Sequence, residues 1–276
     1  MAAGDTTVGI NTLQGSTVGA KFDGVDDYVQ IADDDIFDFN NAGGTADAPF
    51  SITAEVKISR LSGTHVVMSK FATVGTEGQW KFDLASGKLR TTLRDESTGK
   101  NPRMSADAAI DTYTWVHIAT TYDGTGGDNA LADPNCAQYV AGAKIASTYT
   151  DDGGGYVAME DGTHTPRIGS EPSGSNFFHG QIRKVRIHNV ELTAAEVLQV
   201  AQETRVTRGL IGEWLLQSDY TDTGGSLNGT NSGTHFASYE EVVSKAIHDA
   251  RVTANDQYLL WHSAKNQVGS VNIEEA

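Results

Sequence analysis

Residues 50–58 read FSITAEVKI, and apolar and polar side chains alternate through the whole stretch. A strand sends successive side chains to opposite faces, so a period of two predicts a sheet with one covered and one wetter side. Phe50, Ile52, Ala54, Val56 and Ile58 fall on one face, and Ser51, Thr53, Glu55 and Lys57 on the other. The same rhythm recurs from position 18 to about 190. QWKFDLASGKLRTTLRD (79–95) reads as a hairpin turning at Ala85-Ser86-Gly87, with Trp80, Phe82, Leu84, Leu89, Thr91 and Leu93 pointing inward. TYTWVHIATTYDG (112–124) is a strand closed by an Asp-Gly turn, and shorter strands are predicted at 65–71, 137–141 and 143–149. Thirty glycines against five prolines suit many tight turns. Short strands at this spacing predict an all-β sandwich or jelly roll.

The alternation stops at LTAAEVLQVAQET (192–204), where a short helix is predicted. Thr193 is its N-cap, Glu196 completes a capping box, and Val197, Leu198 and Ala201 form its apolar face. GLIGEWLL (209–216) is again a strand, expected to rejoin the same sandwich; the rival is a truncated second copy. SYEEVVSKAIHDARV (238–252) reads as a helix, and Tyr258, Leu259, Leu260 and Trp261 make a run too apolar to leave in water. The chain is therefore expected to divide into a jelly-roll domain over 1–236 and a helical, apolar assembly tail over 237–276 that drives oligomerisation.

A formal net charge of −16 disfavours nucleic acid, whose phosphates repel an acidic surface. The longest apolar stretches fall far short of the roughly 18 residues of a membrane helix. Cys136 is the single cysteine, which excludes an internal disulfide and a zinc cluster and suits a buried small residue. The N-terminal MAAGDTTVGINTLQGS shows neither the basic start nor the apolar run of a secretory leader. Phosphate-loop and nucleophile-elbow motifs are missing.

Four stretches, FDGVDDYVQI, FSITAEVKI, WVHIATTYDG and GQIRKVRIHNVELTAAEV, stand in an order and spacing that resemble laminin G-like domains. The resemblance covers roughly residues 18–204 and implies a concanavalin A-like jelly roll with a short helix. It also implies a place for calcium, since relatives carry that ion near the FDG edge. Asp26 and Asp27 are the candidate ligands, with Asp33, Asp34 and Asp35 close in sequence. The alternative is that the two aspartates only shape a turn. This chain departs from the family's closing motif: Arg183 and Lys184 stand where two acids are usual, so they either repel an ion or pair with the aspartates.

With Trp80, Phe82 and Leu84 inward, Gln79, Lys81, Asp83, Arg90, Thr92, Arg94 and His117 are expected on the opposite face. Lys81, Asp83, Arg90, Arg94 and His117 are the candidate glycan-binding residues, able to bond hydroxyls or uronate carboxylates. Such a face could equally be solvated or dock a subunit. Tyr149, Tyr156, Phe177 and Phe178 are candidates for an aromatic platform. Glycosidases of this fold need two carboxylates on one strand about 5 Å apart; neither E-x-D-x-E nor E-x-D-x-x-E occurs, and Glu55 beside Lys57 reads as a surface pair. A lyase would need Tyr113, His117, Arg90, Arg94 and Gln79 together.

Laminin G-like relatives are mostly extracellular, with leaders and sometimes disulfides. A virion component reconciles that with this chain. The leading expectation is a non-enzymatic phage surface protein, a head decoration or tail-associated protein. Its partners would be capsid or tail proteins or host-surface polysaccharide, with no nucleic acid or membrane. The alternatives are a carbohydrate-binding module of a secreted enzyme and a polysaccharide lyase.

Overall fold

The computed structural model describes residues 19–41, 44–72, 78–150 and 154–236. Among these residues the strands are, in chain order, β1 (Ala20–Asp23), β2 (Tyr28–Gln30), β3 (Phe50–Ile58), β4 (Thr64–Phe71), β5 (Gly78–Ala85), β6 (Lys88–Leu93), β7 (Arg103–Ala106) and β8 (Val116–Tyr122). They continue as β9 (Cys136–Val140), β10 (Ala143–Lys144), β11 (Ser147–Thr150), β12 (Arg167–Ile168), β13 (His179–His188), β14 (Leu210–Trp214), β15 (Thr230–Ser232) and β16 (His235–Phe236). One helix, α1 (Ala194–Ala201), follows β13.

The strands pair antiparallel in two sheets of eight. The back sheet runs β10-β9-β8-β3-β13-β1-β16, with β14 joining β13 past the end of β1. The front sheet runs β11-β7-β6-β5-β4-β12-β2-β15. Segment 209–236 thus gives β14 and β16 to the back sheet and β15 to the front one.

The inward rows match the alternation. Phe50, Ile52, Ala54, Val56 and Ile58 from β3 meet Trp80, Phe82, Leu84, Leu89 and Leu93 from β5 and β6, all fully buried. Fully burying one such side chain contributes roughly 1.5–3 kcal/mol. The β5–β6 hairpin turns on Ser86 and Gly87, both at positive φ (52° and 77°), which matches the twist of the flanking strands. Thr91 faces inward as expected and meets Thr120 of the back sheet, oxygen to oxygen at 2.7 Å, so its hydroxyl is satisfied across the core. Cys136 is buried there too, and burial pushes its thiol up to about 12.

Thr193 caps α1 with the full capping box to Glu196. The helix lies on the outer face of the back sheet, where Val197 and Val200 pack against Ala119, Ala137 and Tyr139. Its seam is therefore Val197–Val200, and Leu198, expected in the apolar face, is 43% exposed. A helix of eight residues has room for one i,i+3 pair against a flat surface, and the sheet decides which. The helix expected at 238–252 and the apolar run Tyr258–Trp261 lie outside the described residues, as does any oligomer contact they make.

Candidate functional site

On β5 the inward residues leave Gln79, Lys81 and Asp83 on the outer face of the front sheet. The register then lines up a polar row across six strands: Arg103 opposite Thr92, Thr92 opposite Lys81, Lys81 opposite Ser69, Ser69 opposite Arg167, and Arg167 opposite Gln30. Asp83 faces Arg90 in the neighbouring pair. Directly opposed side chains on one face stand about 5 Å apart, close enough to interact.

Three cations of this face are each locked to a carboxylate. Asp83 accepts both prongs of Arg90, Nε at 2.9 Å and Nη2 at 2.8 Å. Lys81 donates to Glu171 at 2.6 Å and lies 3.6 Å from Asp83. Glu171 also accepts from Asn176 at 2.8 Å and Ser175 at 3.0 Å. Asp83 and Glu171 are both fully covered, so each needs the partners it has. Arg94 donates to Glu96 at 2.6 Å and to Asn101 at 3.2 Å.

These groups enclose a pocket of 220 Å³ bounded by Phe71, Thr92 and Asn101 and by four cations, Lys81, Arg90, Arg94 and Arg103. Phe71 gives it an apolar wall, with the Lys81 ammonium 4.5 Å from the ring centre. Beyond Ser69, Arg167 stacks on Tyr28 at 3.9 Å. Arg103, Glu171, Arg167 and Tyr28 were missed as candidates. Alternation in RMSA is the local signal that could have put Arg103 on an outer face; nothing in one sequence pairs that strand with β6. A larger cleft of 550 Å³ lies elsewhere, lined by Ile110, Val116, Val140, Ile145 and several alanines. Its polar lining is Asp107, Asp111, Thr114 and the unpartnered Trp115 Nε1, with no lysine or arginine.

His117 is a correction. It belongs to the back sheet, opposite Glu55 and 8% exposed, away from the other four candidates. Alternation says which face of a strand a residue occupies, not which sheet the strand joins. The lyase set falls with it, because His117 and the exposed Tyr113 do not join Arg90, Arg94 and Gln79. Glu55 is also more than a surface partner of Lys57: it is buried and accepts from Arg183 at 2.6 Å and Lys184 at 2.9 Å. Burial opposes its ionisation, but the bonds from Lys184 and Arg183 outweigh that and hold it below its ordinary value. Arg183 and Lys184 therefore face neither Asp26 nor Asp27. A bulge between Arg183 and Arg186, with Lys184 at φ 51°, turns Ile182 and Val185 both inward and leaves the cations outside.

Burial pulls the His117 imidazole down to about 4, Glu55 opposing and Arg186 and Lys184 assisting. Both ring nitrogens lack partners. Between pH 6.5 and 4 the unfolded chain takes up a proton there that the folded chain refuses, so stability is full above 6.5 and lost on acidification, by about 3 kcal/mol. A His117→Leu variant is expected to shed this component. Urea unfolding at stepped pH should show the variant gaining on the parent protein across that window, and a constant difference would contradict it.

Of the four residues named for an aromatic platform, Phe177 is half-buried and the other three are engaged elsewhere. Phe178 is buried and packs edge-on to Phe22 at 6.0 Å, and Tyr156 is buried with its hydroxyl on Asp47. Tyr149 is half-buried and donates to the Asp128 carbonyl.

Asp26 and Asp27 lie in the turn between β1 and β2. Asp23 Oδ1 accepts from the Val25 amide at 2.8 Å, and Asp27 Oδ2 accepts from the Asp23 amide at 2.8 Å, which closes the turn. Burial, with Asp23 and Asp26 close by, raises the Asp27 carboxyl. Carboxylate oxygens of Asp23, Asp26 and Asp27 lie within 4.8 Å of one another, an all-oxygen donor set that suits a hard cation.

A family model described as the concanavalin A-like lectin/glucanases superfamily matches residues 23–198. No curated protein matches the chain. Among solved structures, a Bacteroides ovatus protein with a proposed carbohydrate-binding role superposes with a TM-score of 0.56 at 20% identity, over 80% of this chain and 60% of that one. The chain thus spans less than two thirds of that protein. A heptameric SAP-like pentraxin from Limulus polyphemus gives 0.49 at 14% identity, over 81% and 96%. The CBM40 of a Ruminococcus gnavus sialidase, bound to α2,3 sialyllactose, gives 0.46 at 15% identity, over 68% and 100%.

Proposed function

The chain belongs to the concanavalin A-like lectin/glucanase superfamily, and from that premise we propose that it is a non-catalytic carbohydrate-binding domain whose ligand sits in the front-sheet pocket. The fold hosts many activities, so the site must carry the proposal. The observation that carries it is the convergence of Lys81, Arg90, Arg94, Arg103 and Thr92 around a pocket with an apolar wall. Donors held by their own carboxylates are already ordered, so a saccharide meets them with little loss of side-chain entropy. The nearby carboxylates Asp83, Glu171 and Glu96 are each committed to a lining cation, and Asp83 and Glu171 are fully covered, which suits holding a sugar rather than cutting one.

A calcium ion, where the domain takes one, would be held by Asp23, Asp26 and Asp27, away from the cationic pocket. Polysaccharide is the partner class that the site favours. Capsid or tail partners and a place on a virion surface draw no support from the site or the relatives.

The test is retention on a broad glycan array, with a parallel assay for new reducing or unsaturated ends. Binding without product release is expected, and Arg94→Ala should weaken it about tenfold with little change in thermal unfolding. Product release, or retention of no glycan at all, would contradict the proposal.

A further inference from the structure

The pocket has a charge imbalance that narrows its ligand. Of its four cations, three answer to a carboxylate: Arg90 to Asp83, Lys81 to Glu171 and Arg94 to Glu96. Arg103 has no carboxylate within ion-pair distance among the described residues, and its Nε is buried without an acceptor. Arg103 sits opposite Thr92, which lies between it and Lys81, so its guanidinium belongs to the pocket wall. The pocket thus keeps one positive charge in excess on a protein whose formal net charge is −16.

A neutral sugar seated there would strip water from that excess charge and leave it without a counter-ion. A sugar carrying one carboxylate would neutralise it and present two parallel acceptors to a planar fork. We propose, resting on the carbohydrate-binding reading, that the pocket selects an acidic saccharide, one bearing a sugar-ring carboxylate, and that Arg103 is the residue that sets this preference. Lys81, Arg90 and Arg94 then serve the hydroxyls and ring oxygen, because their own carboxylates already hold them.

The experiment compares uronate oligomers (alginate, pectate and hyaluronan fragments), each with its methyl ester, and adds sulfated galactan oligomers and neutral glucans. The ester removes the charge and keeps the ring. Titration calorimetry on the full chain is expected to show at least one acid binding about tenfold tighter than its ester. Arg103→Gln should bring acid and ester level, by weakening the acid far more than the ester. Arg103→Lys, which keeps the charge but not the fork, should retain part of the preference. Equal binding of acid and ester, an undiminished preference in Arg103→Gln, or sulfated oligomers bound as tightly as uronates would overturn this inference and leave the carbohydrate-binding reading standing. Silence across acids, esters, sulfated and neutral oligomers would overturn both.

Discussion

Replacing Glu171 by alanine is expected to destabilise the domain by about 3 kcal/mol. Glu171 has no exposed surface and takes hydrogen bonds from Lys81, Asn176 and Ser175. Removing one partner of a buried ion pair costs roughly 3–5 kcal/mol, because the remaining charge stays out of water without compensation. The lower end applies here, since Asp83 lies 3.6 Å from the Lys81 ammonium and keeps part of the attraction. Glu171→Gln keeps one acceptor oxygen, for Asn176 or for Ser175, and should cost less. Urea unfolding of the two variants checks this, and a loss below about 1 kcal/mol in the alanine variant would contradict the ion-pair account. Saccharide affinity should fall as well, because Lys81 loses the group that aims it.

The second large effect is expected at Asp47, which ties its own loop to the end of β8 and to the stretch carrying Tyr156 and Met159. Its carboxylate accepts from Tyr122 at 2.5 Å, Tyr156 at 2.8 Å and the Met159 amide at 2.7 Å. Burial raises the Asp47 carboxyl and also raises the Tyr122 hydroxyl. Asp47→Ala strands three donors at once. Tyr122 still accepts from the Gly126 amide at 2.8 Å, but that bond does not use its proton. At roughly 1 kcal/mol or more for each unmet donor the loss is about 3 kcal/mol, or roughly 6–12 °C in Tm for a domain of this size. Asp47→Asn retains one acceptor oxygen and should recover about half. Calorimetric melting decides: an alanine variant that melts within about 2 °C of the parent protein would show that the loops are held by other contacts.

Neither residue stood out in the sequence, and the reason is physical. Alternation reports on the immediate chain neighbours, so FSITAEVKI and QWKFDLASGKLRTTLRD gave their inward rows directly, and those rows are the core. Thr193 and Glu196 were legible because a capping box is complete within four residues. Glu171 meets Lys81 across 90 positions, and Asp47 meets Tyr156 across 109. No local pattern encodes such meetings. Lys81, Asp83 and Arg90 were found together because one hairpin carries them, whereas His117 was misplaced because its strand joins the other sheet. Arg103 comes to the site through the pairing of β7 with β6, after a loop whose length does not fix the register. Leu198 was assigned to the buried face by helical spacing, but the flat outer face of the back sheet takes only Val197 and Val200.

On the proposed function a saccharide sits on the outer face of the front sheet, between β5, β6 and β7. Backbone amide shifts during titration with the saccharide that the array identifies would locate it. The largest changes are expected at Lys81, Thr92 and Arg103 and in the stretch from Arg94 to Asn101, with Glu55, His117 and the rest of the back sheet's outer face unmoved. Changes centred on the back sheet, or on the cleft around Ile110 and Trp115, would contradict it.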